Sequence, residues 1–198
     1  MAVHEVLQWL AVGGAIAYLA LVIRESIWCW FFGAASSAIY VYLTWQEGLS
    51  GQAGLNAFYV AMAGYGFWRW RGGVRNDDDA VPVVCWSLAV HAGALFAIAI
   101  GTVLLAHWRS AASGSNLAVA DTVADSAITL AALWTTFLVA RKELTNWLYW
   151  FVIDVATIVL FVRQGLGTAA LPFAVYLAMI PFGFLAWWRS YEQQADAR

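Results

Sequence analysis

Apolar runs separated by short polar breaks recur along the whole chain. They predict seven helices of membrane-spanning length, near residues 6–23, 27–45, 52–70, 81–107, 118–140, 144–163 and 168–188. The breaks are Arg24-Glu25, Gln46 to Gly51, Arg71 to Ala80, Trp108 to Asn116, Arg141 to Glu143 and Gln164 to Gly167. None is long enough for a soluble domain, and only the run Arg75-Asn76-Asp77-Asp78-Asp79 reads as an exposed linker. The fourth run is the longest and is expected to tilt. The first follows His4 and Glu5 without the basic n-region of a cleaved signal peptide, so it reads as a retained helix.

The pattern repeats at an offset of 117 residues. Arg24 falls on Arg141, Trp30 on Trp147, Gly48-Leu49 on Gly165-Leu166, Tyr59 on Tyr176, Gly66-Phe67 on Gly183-Phe184 and Trp70 on Trp187, without a gap. Three helices per unit end on the opposite side from where they began, and one further helix restores the starting orientation. The expected fold is therefore an all-α integral membrane protein with seven transmembrane helices in a 3+1+3 order. The two parallel three-helix repeats would be arranged as in SWEET-type transporters. The whole of 1–198 is expected to form a single membrane domain, with repeat 1 over 1–71, a linker with helix 4 over 72–117, repeat 2 over 118–189 and a cytoplasmic tail over 190–198.

Composition narrows the function. With 63% hydrophobic and 11% charged residues, against roughly 25% charged in soluble domains, a water-soluble globule is excluded. A net charge of −2 offers no basic face, so nucleic acid is excluded as a partner. Cys29 and Cys85 lie in apolar stretches and read as packing residues, making neither a disulfide framework nor a zinc site. If the N-terminus is outside, 8 of the 10 basic residues fall in the cytoplasm, namely Arg24, Arg69, Arg71, Arg75, Arg141, Lys142, Arg189 and Arg198. Arg109 and Arg163 remain outside, so the positive-inside rule predicts N-out and C-in.

Ionisable residues inside spans are costly and mark functional sites. Asp154, mid-span in the sixth helix, shares a face with Trp147, Trp150 and Thr157, which suits a flat cationic ligand. Asp125 lies about two turns into the fifth helix, below Asp121, and is open between ligand contact and a hydrogen bond into the bundle. In the third helix Gln52, Asn56, Tyr59, Ala63 and Gly66 share a face that lines a cavity or bonds across helices. Trp68, Trp70, Trp108, Trp187 and Trp188 lie near span ends and read as interfacial anchors. Pro172, Pro181 and Gly183 are candidate bending points, Arg141-Lys142 reads as a topology determinant, and His91 as packing.

The stretch from Asp125-Ser126 through Arg141-Lys142-x-x-x-Asn146-Trp147-Leu148-x-Trp150-x-x-x-Asp154 resembles the PnuC family of nicotinamide riboside transporters. Tyr65-Gly66-Phe67-x-x-Trp70 is similar to that family's Y-G-W-x-x-W ending of the third helix. The resemblance covers essentially the whole chain. It implies a transporter of the bacterial inner membrane that takes up nicotinamide riboside by facilitated diffusion and alternating access, made one-way by a cytosolic kinase. It implies Trp150, Asp154, Asn56 and Tyr59 as binding residues, to which the helical face of Asp154 adds Trp147 and Thr157 and the cost of a charge within a span adds Asp125. Two positions depart from the family: Asp154 stands for its Asn and Asn56 for its Gln. These leave the substrate open between nicotinamide riboside and thiamine, both flat heteroaromatic cations. A single positive charge entering the cell gains about 2.3 kcal/mol per 100 mV, sufficient without a coupled ion. No cofactor is expected, no Walker motif is present, and self-association into a homo-oligomer is left open.

Other classes fare worse. A retinal protein needs a lysine within its seventh span, and the only lysine is Lys142, between spans. An intramembrane enzyme would need paired groups, for which only Asp125 and Asp154 offer themselves. The chain is therefore expected not to be an enzyme, and a passive scaffold gives no reason to bury two carboxylates.

Overall fold

The computed structural model describes residues 2–74, 81–113 and 119–196. Seven α-helices appear among them: α1 Ala2–Ile23, α2 Cys29–Gln46, α3 Ser50–Trp70, α4 Leu88–Ser113, α5 Val119–Ala140, α6 Asn146–Arg163 and α7 Leu171–Asp196. Short 3-10 turns follow α3, over Arg71–Val74, and precede α7, over Gly167–Ala170. Five of the seven are long and apolar enough by themselves to cross a membrane; α2 and α3 are of similar length but carry more Gly, Ser, Trp and Tyr. The expected linker at Arg75–Asp79 and the basic residue Arg198 lie outside the described residues.

Two elements differ from expectation. The fourth helix begins at Leu88 instead of near 81. Residues 81–87 run extended because Pro82 has no backbone N–H, and the N–H groups that follow find partners elsewhere. Val83 donates to Gln194 Oε1 at 3.1 Å, Val84 to Lys142 O at 3.0 Å and Trp86 to Glu143 Oε1 at 3.2 Å. The last helix continues through Asp196, where a tail was expected from 190. Pro172 stands in its first turn, where a missing N–H costs nothing, so it starts the helix and does not bend it.

Offset by 117 residues, α1 has the bounds of α5 and α2 those of α6. The intervening turns coincide as well. Glu25 and Lys142, at equivalent positions, both take positive φ, 52° and 51°, and Gly48 and Gly165 take 74° and 76°. Each closes its helix with paired backbone bonds of the Schellman kind: Ser26 N to Leu21 O and Glu143 N to Leu138 O are both 2.9 Å, while Leu49 N to Thr44 O and Leu166 N to Phe161 O are both 2.8 Å.

Six helices pack pairwise in a ring, α1 on α2, α2 on α3, α3 on α5, α5 on α6, α6 on α7 and α7 on α1, with α4 outside against α5. One end of the ring is sealed by indoles. A Cβ on Gly66 would sit 2.3 Å from the Trp30 ring, and one on Gly183 would sit 2.2 Å from the Trp147 ring, so glycine alone admits each ring. Trp70 Nε1 donates to Ala140 O at 3.1 Å and Trp187 Nε1 to Val22 O at 2.9 Å, each reaching into the other half of the chain. Between them Lys142 Nζ pairs with Glu25 Oε2 at 2.7 Å and lies 4.8 Å over the Trp70 ring, while Ser190 donates to Glu25 Oε1 at 2.5 Å.

This seal corrects several expectations. Trp70 and Trp187 are buried packing residues, not interfacial anchors, whereas Trp68, Trp108 and Trp188 are exposed as an aromatic belt requires. Lys142 is buried and paired in addition to any effect on topology. Cys29 is buried, but Cys85 is exposed on the extended segment; partial burial and the nearby Glu143 carboxylate push its thiol up, which keeps it a weak nucleophile. His91 does more than pack: its Nδ1 is 3.2 Å from Tyr149 Oη and its Nε2 is 3.7 Å from buried Glu143, tying α4 to the α5–α6 turn.

Candidate functional site

The Arg141-to-Trp150 run is mostly architecture. Arg141 stacks over Trp86, Lys142 closes the seal, Asn146 Nδ2 donates to Glu143 O at 2.5 Å, and Trp147 packs on Gly183. The site begins one turn beyond that run on α6, at Asp154.

Asp154 is 3% exposed. Four other acids that are buried or half-buried have partners: Glu25 has Lys142, Glu143 accepts from Thr145 Oγ1 at 2.6 Å, Asp121 pairs with Arg163 at 3.2 Å and Asp125 with Arg109. Among the described residues no side chain or backbone group bonds to the Asp154 carboxylate. Its oxygens are also absent from the polar atoms sealed without a partner, so they keep accessible surface of their own. An uncompensated carboxylate in a bundle interior is costly, and a cationic ligand offsets that cost.

Aromatic groups lie near it. Tyr59 on α3 and Tyr176 on α7 both lie within Coulombic reach of Asp154, and Tyr40 on α2 lies within that of Tyr176. Trp150, half-buried one turn before Asp154, packs against the indole seal. Thr157 is buried one turn beyond, its hydroxyl donating to Ile153 O at 2.8 Å. Asn56, one turn outward from Tyr59, donates to Gln52 O at 2.9 Å, and its carbonyl oxygen remains available. The α3 face grades from exposed Gln52 to buried Ala63 and Gly66, which seats it against the interior toward the sealed end.

Two residues proposed from sequence have protein partners instead. Trp147 is 1% exposed, its ring occupied by Gly183 and, edge-on at 5.5 Å, by Trp187. Asp125 points out of the ring to Arg109 on α4. Tyr176 was missed as a site residue although the 117-residue offset sets it on Tyr59; the repeat alignment was the signal that would have found it. A separate groove of about 360 Å³ between α1 and α2, lined by Trp9, Phe31, Phe32 and Ile39, has no charged anchor and does not include Asp154.

A family model described as the nicotinamide mononucleotide transporter matches residues 5–189. The chain belongs to the nicotinamide mononucleotide transporter family. Among curated proteins of similar sequence is the riboflavin/roseoflavin transporter RibM of Streptomyces davaonensis, 26% identical over 86% of this chain and 78% of its own length. The nicotinamide riboside transporter PnuC of Haemophilus influenzae is 23% identical over 91% of this chain and 79% of its own. The crystal structure of the vitamin B3 transporter PnuC superposes with a TM-score of 0.73 at 21% identity, covering 94% of this chain and 82% of that one. That likeness establishes the fold. Family membership makes the chain a multi-pass membrane transporter, and the uncompensated carboxylate bears on which vitamins fit it.

Proposed function

We propose that the protein takes up a cationic vitamin across the bacterial inner membrane by facilitated diffusion, with nicotinamide riboside as substrate. The observation that carries this reading is Asp154, a buried carboxylate without a protein partner among the described residues, within Coulombic reach of Tyr59 and Tyr176 and one turn from Trp150. A pyridinium ring neutralises the carboxylate and presents its face to the aromatic groups. Asn56 and Thr157 complete the lining in this reading. The helices form a 3+1+3 arrangement of parallel repeats, α4 connecting them, with the N-terminus outside and the sealed end cytoplasmic. Six basic residues, Arg24, Arg69, Arg71, Arg141, Lys142 and Arg189, support that orientation because they belong to the sealed end, whereas Arg109 and Arg163 belong to the other. A cytosolic kinase would trap the product, and the protein itself performs no chemistry on the vitamin.

Riboflavin is the second reading, favoured by the similarity to RibM. It carries no permanent positive charge and leaves Asp154 uncompensated. Calorimetric titration of nicotinamide riboside, thiamine and riboflavin into purified protein separates the readings. Saturable micromolar heat with nicotinamide riboside is the expected result. Heat with thiamine alone keeps the cation site and changes the substrate, and heat with riboflavin alone overturns the role given to Asp154.

A further inference from the structure

Adding the 117-residue offset to Ser37 gives Asp154. Ser37 lies two turns beyond Trp30 on α2, as Asp154 lies two turns beyond Trp147 on α6. Both indoles are seated on glycines within the seal, Trp30 on Gly66 and Trp147 on Gly183, so the faces carrying Ser37 and Asp154 look into the ring from opposite repeats.

Ser37 is 9% exposed, and among the described residues its hydroxyl bonds to no protein group. That sets it apart. Hydroxyls in apolar helices satisfy themselves on the carbonyl one turn back, as Thr44, Ser126, Thr129, Thr135, Thr136 and Thr157 all do here. Neighbouring Ser36 bonds instead across helices to Ala11 O at 2.7 Å. Ser37 Oγ has neither arrangement and, like the Asp154 carboxylate, is not among the sealed orphan atoms, so it keeps accessible surface of its own. Tyr40, one turn beyond Ser37, lies within Coulombic reach of Tyr176.

We propose that Ser37 is the second polar pole of the substrate site, hydrogen-bonding the hydroxyl-bearing end of the ligand while Asp154 holds its cationic end. This rests on the cationic-vitamin reading and adds a residue that selects the sugar. Two repeats of like frame thus offer unlike groups, a carboxylate and a hydroxyl, to the two ends of one molecule.

The test is calorimetric titration of nicotinamide riboside and of N-methylnicotinamide, which has the same charged ring without a sugar, into wild type, Ser37→Ala and Asp154→Leu. Ser37→Ala is expected to weaken riboside binding about 3- to 10-fold and leave N-methylnicotinamide unchanged. Asp154→Leu is expected to weaken both. A folding defect would lower both affinities together and cannot produce the selective loss. If Ser37→Ala shifts neither ligand, or both equally, this inference is overturned while the cation reading stands. If folded wild-type protein binds neither cation, the cation reading falls and this inference with it.

Discussion

The first and second repeats share their indole contacts at the sealed end and part company at mid-span. At the seal, Trp30 on Gly66 matches Trp147 on Gly183, and Trp70 donating to Ala140 O matches Trp187 donating to Val22 O. Even the flaws match, since Trp30 Nε1 and Trp147 Nε1 are both buried without an acceptor. Two turns away Tyr59 still corresponds to Tyr176, but Ser37 stands opposite Asp154, Tyr40 opposite Thr157, and Gly33 opposite Trp150. The difference separates two tasks. Closing one end of a ring of helices needs equivalent contacts from both halves, whereas recognising a ligand with unlike ends needs unlike side chains. The extended segment 81–87 is a second asymmetry, because it pairs with the turn at Lys142 to Leu144 and leaves the turn at Glu25 to Ile27 without a counterpart among the described residues.

The largest effect should come from the asymmetric layer. Asp154→Leu is expected to weaken cation binding by more than about 100-fold in calorimetry and to raise the thermal midpoint in detergent, because it removes a buried charge that has no protein partner. Asp154→Asn should retain binding at about tenfold lower affinity, since the amide keeps the hydrogen-bonding shape. Loss of affinity without a gain in stability would show that Asp154 has a protein partner in solution.

At the seal the repeats should respond alike. Gly66→Ala and Gly183→Ala each place a Cβ within 2.3 Å of an indole, and each should cost about 1–3 kcal/mol in thermal unfolding. A large loss in one and none in the other would break the equivalence drawn here. The ion pair tests a polar contact that joins equivalent positions. Glu25→Ala should cost more than Lys142→Met, within about 1–3 kcal/mol, because Lys142 is the more deeply buried partner and loses its counter-charge, while Glu25 keeps Ser190. Smallest are Trp70→Phe and Trp187→Phe, each removing one indole hydrogen bond for about 1 kcal/mol, measured by the same unfolding assay.

Sequence pattern carried the helices well because lipid demands about 20 apolar residues per span and internal backbone bonding, both local properties. The start of α4 escaped it, since Val83 to Trp86 are apolar and only their bonds to Gln194, Lys142 and Glu143 hold them extended. Indole position misled in the same way: nearness to a span end does not say whether a ring meets lipid or the other repeat, and Trp70 and Trp187 meet the other repeat.

By itself the sequence determined a duplicated membrane protein with a carboxylate in the middle of its sixth span, because hydropathy, period and charge can be read without knowing which helices touch. Only the tertiary structure decided that Asp125 has Arg109 as partner while Asp154 has none among the described residues, and that Tyr59 and Tyr176 come within Coulombic reach of Asp154. Whether a buried charge is satisfied depends on groups brought from distant parts of the chain, and no local pattern encodes that meeting.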